Sequence, residues 1–381
     1  MARASVGARL HFGFCNLSLS HERLYGALGV GLAEPRVVVD AEPGSGVDVT
    51  VEASTAEESP ESPRPVRESA SAVREDVRGY ATAATDLLGV AGARVAVRES
   101  LPRHAGLGSG TRLAAATLAA VATAHGEPAR VRERAPAFGR GGRSGVGVAT
   151  FEEGGFVLDA GHPTARFTTD RPADGEWTVP PVAARHAVPD DWRFLLVEPD
   201  ADAGRSGAVE DDAMRTAVER AEPAIADRIG GIVTRRVLPS IATGNAEAFG
   251  AAVAEIGRLN GAWYADEQGG VYRPPVGEVV ASLSEASAVF GAGQSSWGPT
   301  VYGVTDAAHA DAAAEAGERA LGEAGVGGAV SVVRATNEGA RLAEDGARAD
   351  DDGARIADGN GADPRSTDSE RGNTKPRGDG A

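Results

Sequence analysis

The sequence predicts an α+β protein of two domains, and three observations support this class. Hydrophobic residues make up 42% of the 381 residues, which is enough for two cores of ordinary size. Segments with the alternation of strands exchange with Ala-rich segments that have the composition of helices. Residues 162–190 are irregular and Pro-rich, so they mark the crossing between the domains. We therefore place the domains at residues 1–165 and 166–336, and a disordered acidic tail at 337–381.

Strands dominate the start of the first domain. Four apolar segments have strand character, at residues 5–15, 25–33, 37–40 and 47–51. A loop rich in Ser, Glu and Pro follows and leads into a helix from about residue 66 to 88. Another alternating strand at residues 94–99 completes this part of the chain.

The most informative segment is the first glycine turn, residues 101–112, which joins the strand at 94–99 to a helix that ends near Ala124. Glycines permit turn conformations that a Cβ atom would obstruct, and Ser and Thr are types that cap helix N-termini. A helix N-terminus after such a turn presents free N–H groups and a positive dipole end, which suits a phosphate. A turn that binds nothing is the alternative. The candidate anion-binding residues are Gly106, Gly108, Ser109, Gly110 and Thr111.

This spacing differs from two known phosphate-binding motifs. A P-loop requires Lys after its glycines, where this chain has Thr111. A Rossmann turn requires G-x-G-x-x-G within a βαβ unit, whereas these glycines read G-x-G-x-G and follow roughly a hundred residues.

A second cluster of glycines, the arginine loop at residues 138–147, contains Arg140 and Arg143. Guanidinium groups beside exposed backbone N–H groups suit an anion, so we interpret this loop as a second anion site rather than a solvated turn. Two strands are predicted next along the chain, at residues 146–151 and 155–159.

The second domain alternates strands and helices in the order expected of a split βαβ sheet with helices on one face. The predicted strands are residues 192–198, 286–290, 300–304 and 329–333, and the predicted helices are residues 208–221, 223–240, 246–268 and 307–324. A second glycine turn, residues 291–299, connects two of these strands. From Asn337 onward the chain has almost no large apolar residues, which predicts the disordered tail.

Composition limits the cellular setting and the partners. The net charge is −17 and Lys375 is the single lysine. Such acidity fits the cytoplasm of a salt-loving microbe and argues against nucleic acid, which requires a basic surface. No apolar run approaches about eighteen residues, so no membrane span is expected. With no signal peptide and only Cys15 for disulfide chemistry, we expect a soluble, cytoplasmic protein.

Six segments in this order resemble the GHMP kinase superfamily and, within it, the β-ribofuranosylaminobenzene 5′-phosphate synthases. The resemblance extends over residues 5 to about 334 and implies a GHMP-kinase-like two-domain fold. Its N-terminal domain is ribosomal-S5-domain-2-like, and its C-terminal domain is a ferredoxin-like split βαβ sheet. The segments are residues 9–14, 23–30, 102–111, 139–147, 154–161 and 296–302.

The resemblance implies a transferase that joins phosphoribosyl pyrophosphate to 4-aminobenzoate or 4-hydroxybenzoate, with loss of carbon dioxide and pyrophosphate, in methanopterin-type cofactor biosynthesis. It implies small-molecule substrates, Mg²⁺ without an organic cofactor, and a homodimer as a reasonable assembly. For this chemistry we assign catalytic roles to Arg23, His104 and Arg143, and place Mg²⁺ at Ser109. His11 is a weaker candidate to orient the acceptor. The anion-binding assignments beyond the first glycine turn are Arg140, Ser144, Gly293, Ser295 and Ser296.

One position separates this chain from the ATP-dependent kinases of the superfamily. They commonly carry a catalytic Asp three residues after the Ser that corresponds to Ser144, where this chain has Gly147. A glycine cannot accept a hydroxyl proton or bind Mg²⁺, so the transferase is favoured and a small-molecule kinase is the alternative. An ordinary phosphoribosyltransferase and a non-catalytic binding module are further competitors.

Overall fold

A computed structural model describes residues 1–52, 70–166, 176–201 and 207–344. Within these ranges the chain forms one eight-stranded and one four-stranded sheet, with helices packed against them. This arrangement has the α+β class that the sequence predicts. None of the helices found there is both long and apolar enough to cross a membrane.

The eight-stranded sheet is built around its two longest strands, which pair antiparallel. The predicted strands at 25–33 and 37–40 are one strand, because both halves of residues 23–43 pair with the first strand. The break in register falls beside Gly7, where a Cβ atom would lie 1.8 Å from the carbonyl oxygen of Leu32. The strands are β1 Ala2–Asn16, β2 Arg23–Pro43, β3 Val47–Val51, β4 Ala93–Glu99, β5 Phe156–Asp159, β6 His162–Pro163, β7 Val182–His186 and β12 Arg341–Glu344.

Four α-helices accompany this sheet in the described part of the first domain: α1 Ala70–Leu88, α2 Ser109–Ala124, α3 Val131–Arg134 and α4 Val146–Glu152. Helix α2 is the central one, and every residue from Arg112 to Ala122 is buried. Its small Ala side chains allow contact with β1 and β2 and also with α1 and α4. The sheet and its neighbouring helices thus hold the start of α2 in a fixed position.

The predicted strand at residues 146–151 is wrong, because this segment is helix α4. The carboxylate of Asp159 accepts the N–H of Gly145 at 2.7 Å, and Ser144 Oγ accepts the N–H of Val146 at 3.3 Å. These bonds satisfy N–H groups at the helix start, which favours a helix despite the β-branched valines. The partner Asp159 lies 14 residues beyond Gly145, so local sequence does not reveal it.

The second sheet has the strand order β11-β8-β10-β9, and all of its pairs are antiparallel. This is the predicted ferredoxin-like arrangement, with helices packed against it. The strands are β8 Trp192–Pro199, β9 Gly291–Gln294, β10 Val301–Asp306 and β11 Gly328–Val333. The helices are α5 Gly207–Arg220, α6 Pro223–Ile232, α7 Leu238–Thr243, α8 Ala246–Trp263, α9 Ala265–Gln268, α10 Val276–Glu285 and α11 Ala310–Glu323, with a π-helical turn at Val233–Val237.

The predicted strand at residues 286–290 is wrong as well. These residues form a turn after α10, and strand β9 occupies the first half of the second glycine turn. A Cβ atom on Gly291 would lie 2.1 Å from the carbonyl oxygen of Gly250 in α8. Gly291 therefore lets β9 approach α8 more closely than residues 286–290, which all carry side chains, would allow.

The predicted tail begins with an ordered segment, so the boundary at residue 337 is wrong for residues 337–344. Asn337 exchanges two hydrogen bonds with the backbone of Val188, at 2.7 and 2.9 Å. Ala340 is buried, and its N–H donates to the carbonyl oxygen of Phe151 at 2.7 Å. Strand β12 then pairs with residues 2–5 of β1. Residues 345–381 lie outside the described residues.

A chain that ends at Thr336 is therefore expected to be less stable than one that ends at Glu344. At about 1 kcal/mol per hydrogen bond, loss of the three bonds from Asn337 and Ala340 and of the β12 pairing lowers the free energy of unfolding by roughly 3 kcal/mol or more. Urea unfolding of the two chains measures this difference. Equal midpoints would contradict a structural role for this segment.

Candidate active site

The first glycine turn leads directly into α2, as predicted. The helix starts at Ser109, and the residue at its cap position is Gly108, with a φ of 82°. This cap residue has no side chain, and neither Ser109 nor Thr111 occupies the cap position, so the capping roles suggested for them are wrong. The first helical bond runs from the Arg112 N–H to the Gly108 carbonyl oxygen at 3.0 Å, and the N–H groups of residues 109–111 precede it. This uncapped end is suited to an anion.

Arg140 of the arginine loop lies beside this helix end. A Cβ atom on Gly110 would lie 3.0 Å from both terminal nitrogens of Arg140. The guanidinium carbon lies 5.5 Å from the centroid of the Tyr80 ring, and Nη2 donates to the Tyr80 hydroxyl. Its Nε is buried without a hydrogen-bond partner. The two segments predicted as separate anion sites therefore meet in one place, with a cation at a helix N-terminus.

The second glycine turn packs on the first, backbone against backbone. A Cβ atom on Gly298 would lie 2.0 Å from the carbonyl carbon and oxygen of Ala105, and one on Gly106 would lie 2.2 Å from the Ser295 carbonyl oxygen. The fully buried Ser295 hydroxyl donates to the Gly106 carbonyl oxygen at 2.8 Å. Its Oγ also accepts the His11 N–H at 3.1 Å, so Ser295 joins the two turns from within the protein.

Two cations near the turn escaped the sequence analysis. Arg9 donates through Nη1 to the Gly106 carbonyl oxygen at 2.5 Å. Arg112 is fully buried and donates to the Gly147 carbonyl oxygen at 2.6 Å and to Thr150 Oγ1 at 2.8 Å. Burial and then Arg9 lower the pKa of Arg112 to about 9, which keeps it charged at neutral pH. An Arg in the first turn of a buried, Ala-rich helix was the available signal.

Two further predicted site residues, Ser144 and Arg23, contact residues 159–161. Ser144 donates to the buried carboxylate of Asp159 at 3.3 Å, and the same carboxylate accepts the Gly145 N–H at the start of α4. Burial raises the pKa of Asp159 to about 6, against the hydrogen bonds that lower it. Arg23 is largely exposed and donates to the carbonyl oxygens of Ala160 and Gly161. The catalytic role of Arg23 stays a prediction.

His104 and Arg143 are both partly buried. His104 lies within the first glycine turn and has a positive φ of 53°. Gly293 in β9 lies against Tyr302. A Cβ atom on Gly293 would lie 2.7 Å from the Tyr302 hydroxyl, so the contact between these two residues requires a glycine. Ser296 has a φ of 56° and donates its N–H to the His11 carbonyl oxygen at 3.3 Å.

At position 147, where the kinases of the superfamily commonly carry a catalytic Asp, another side chain fills the space beside the glycine. A Cβ atom on Gly147 would lie 3.0 Å from Thr111 Cγ2, so the Thr111 methyl group occupies the adjacent space. The described residues also contain no group of three His, Cys, Asp or Glu side chains arranged for a metal ion. The site is therefore cationic, with backbone N–H groups and no carboxylate at position 147.

Comparison with known proteins identifies the family. The family models "GHMP kinases N terminal domain" and "GHMP kinases C terminal" match residues 72–155 and 237–324. The β-ribofuranosylphenol 5′-phosphate synthase of Methanothermobacter thermautotrophicus is 35% identical over 309 residues, which cover 78% of this chain and 87% of that protein. The chain belongs to the β-ribofuranosylphenol 5′-phosphate synthase family. A synthase of the same name from Archaeoglobus fulgidus is 29% identical over 80% of this chain and 88% of its own length.

A solved structure supports the fold of this synthase family member. The homoserine kinase of Cytophaga hutchinsonii superimposes with a TM-score of 0.57 at 15% identity, over 90% of this chain and 97% of that one. At this identity the likeness concerns the fold alone. The predicted GHMP-kinase-like fold and the resemblance to the ribosyl synthases are thus both confirmed.

Proposed function

We propose that this chain is a decarboxylating ribosyltransferase that acts on phosphoribosyl pyrophosphate and a para-substituted benzoate. The bond between ribose C1 and the diphosphate oxygen breaks, and C1 forms a bond to the ring carbon that bears the carboxylate. The bond from that carbon to the carboxylate then breaks, and its electron pair restores the aromatic ring. The products are a β-ribofuranosylbenzene 5′-phosphate, carbon dioxide and pyrophosphate.

The observation that carries the proposal is the 35% identity to a β-ribofuranosylphenol 5′-phosphate synthase over most of both chains. The phenol in that name favours 4-hydroxybenzoate over 4-aminobenzoate as the acceptor. The site geometry supports the same chemistry, because an aromatic ring supplies its own electrons to ribose C1. Such a nucleophile needs no base, and Gly147 provides none.

The departing diphosphate is the group that the described residues suit best. Its negative charge would meet the uncapped N–H groups of Ser109, Gly110 and Thr111 and the guanidinium group of Arg140. Preorganised donors of this kind stabilise charge that develops as the leaving group departs. Arg9 and Arg112 add positive charge beneath the turn. Arg23 and Arg143 remain our candidates for the 5′-phosphate or the acceptor carboxylate.

We propose that Mg²⁺ enters with the substrate, bound to the diphosphate, and that Ser109 supplies a hydroxyl ligand. Mg²⁺ usually binds through substrate phosphates and few protein ligands, with water completing its shell. The absence of a carboxylate cluster from the described residues fits a metal that the substrate brings. When bound, the ion would neutralise part of the diphosphate charge.

The ATP-dependent kinase is not favoured. A general base near the acceptor hydroxyl typically increases the rate roughly a hundred- to ten-thousandfold, and Gly147 offers no such group. Incubation of the purified protein with phosphoribosyl pyrophosphate, Mg²⁺ and either benzoate tests the assignment. We expect pyrophosphate and a ribosyl phenol phosphate with 4-hydroxybenzoate, at a higher kcat/KM than with 4-aminobenzoate. Consumption of ATP with a small alcohol, without pyrophosphate from the ribosyl donor, would support the kinase.

A further inference from the structure

A cleft with about 460 Å³ of empty space, part of it open to solvent, lies next to the second glycine turn. Its walls come from β1, from α8 and from the residues around Tyr272, together with Ser296 and Trp297. Ser295 connects this cleft to the first glycine turn, because its Oγ bonds both the N–H of the lining residue His11 and the Gly106 carbonyl oxygen. Ser295 therefore links a lining residue of the cleft to the turn that precedes the proposed diphosphate site.

The cleft is aromatic and uncharged. The rings of Tyr264 and Trp297 have centroids 4.3 Å apart, and Phe14 packs edge-on against His11 with centroids 5.1 Å apart. The lining residues in the described part of the chain include no Asp, Glu, Lys or Arg. Flat aromatic ligands bind in such clefts through ring contacts and a few polar groups.

Three lining residues carry a buried polar atom that has no hydrogen-bond partner: His11 Nδ1, Tyr272 Oη and Gln294 Oε1. Buried polar atoms are nearly always paired, so three such atoms around one cleft indicate a missing ligand. Burial and then Arg9 lower the pKa of His11 to about 3, and burial raises the pKa of Tyr272 to about 12. Both side chains are therefore neutral near pH 7, and they offer a hydroxyl donor and imidazole and amide acceptors.

We infer that this cleft binds the aromatic acid acceptor, an inference that rests on the proposed function. A para-hydroxylated benzoate supplies a ring for Phe14, Tyr264 and Trp297, a hydroxyl that can donate to Gln294 Oε1, and a carboxylate that can accept from the Tyr272 hydroxyl. The link through Ser295 puts this cleft on the side of the second glycine turn that is joined to the first glycine turn.

Variants that remove a single polar group test this inference in the full chain. Tyr272→Phe keeps the ring and removes one donor, and Gln294→Met keeps the shape and removes one acceptor. Each is expected to weaken binding of 4-hydroxybenzoate about tenfold or more, measured as a Kd by ligand-observed NMR and as a KM by initial rates, with the phosphoribosyl pyrophosphate KM within about twofold. Tyr80→Phe, which removes a hydroxyl beside Arg140, is the matched control and is expected to leave the acid Kd unchanged.

The outcomes distinguish a failure of the cleft assignment from a failure of the proposed function. Unchanged acid Kd and KM in both cleft variants, with normal product formation, would overturn the cleft assignment and leave the proposed function intact. Binding of 4-hydroxybenzoate that Tyr272→Phe weakens, without any ribosyl transfer by the unmodified chain, would support the cleft and overturn the function.

Discussion

Gly298→Ala is expected to reduce kcat/KM for ribosyl transfer about a hundredfold or more, because a displacement of about 1 Å at a positioning element costs that much. The new Cβ atom would lie 2.0 Å from the carbonyl carbon and oxygen of Ala105 and 2.1 Å from the Gly106 nitrogen. These are backbone atoms, so the second glycine turn must move away from the first. The Ser295 hydroxyl and the N–H of Thr300, which bonds the Ala105 carbonyl oxygen at 3.1 Å, would then lose their partners.

Gly322→Ala is the matched control, because a Cβ atom on this residue of α11 meets nothing within 4 Å. Alanine there is expected to preserve activity and to raise the free energy of unfolding by roughly 0.5–1 kcal/mol. Circular dichroism and steady-state rates of both variants make the comparison. A fully active Gly298→Ala protein would show that the contact between the two turns is not needed for catalysis.

Arg140→Gln is expected to raise the KM for phosphoribosyl pyrophosphate about a hundredfold and to leave the KM for 4-hydroxybenzoate nearly unchanged. Charge-assisted hydrogen bonds contribute about 1.5–3 kcal/mol each, so loss of one or two bonds to the diphosphate has this effect. The physical basis is the Arg140 guanidinium beside Gly110 at the start of α2, with a buried and unpaired Nε.

Arg319→Ala controls for the loss of one positive charge. Arg319 is 60% exposed and pairs only weakly with Glu315 on the same helix, at 3.8 Å. Its kinetic constants are expected to match those of the unmodified chain. A phosphoribosyl pyrophosphate KM that Arg140→Gln leaves unaltered would remove Arg140 from the diphosphate site.

Local sequence predicted the parts of this molecule that depend on local physics. The first glycine turn and the start of α2 at Ser109 follow from glycine and helix preferences. Helix α4 was missed because its caps involve Asp159, which lies far along the chain. The ordered segment at 337–344 was missed because it is held by Val188, Phe151 and β1 rather than by large apolar residues of its own.

The site was predicted less completely than the fold. The sequence predicted two separate anion sites, but only the structure brings Arg140 to the helix that starts at Ser109. Arg112 was missed because its burial depends on packing between α2, β1 and α4. The homodimer, the Mg²⁺ ion, the cytoplasmic location and the salt-loving source remain predictions.

Release of carbon dioxide from carboxyl-labelled 4-hydroxybenzoate is the most direct test of the central claim. We expect one labelled carbon dioxide for each pyrophosphate, only when phosphoribosyl pyrophosphate and Mg²⁺ are both present, with ATP unable to replace the ribosyl donor. The chemistry requires this pairing, because the aromatic ring is restored only when the carboxylate leaves from the carbon that has bonded ribose C1. Label retained in the product, or pyrophosphate formed without labelled carbon dioxide, would contradict a decarboxylating ribosyl transfer.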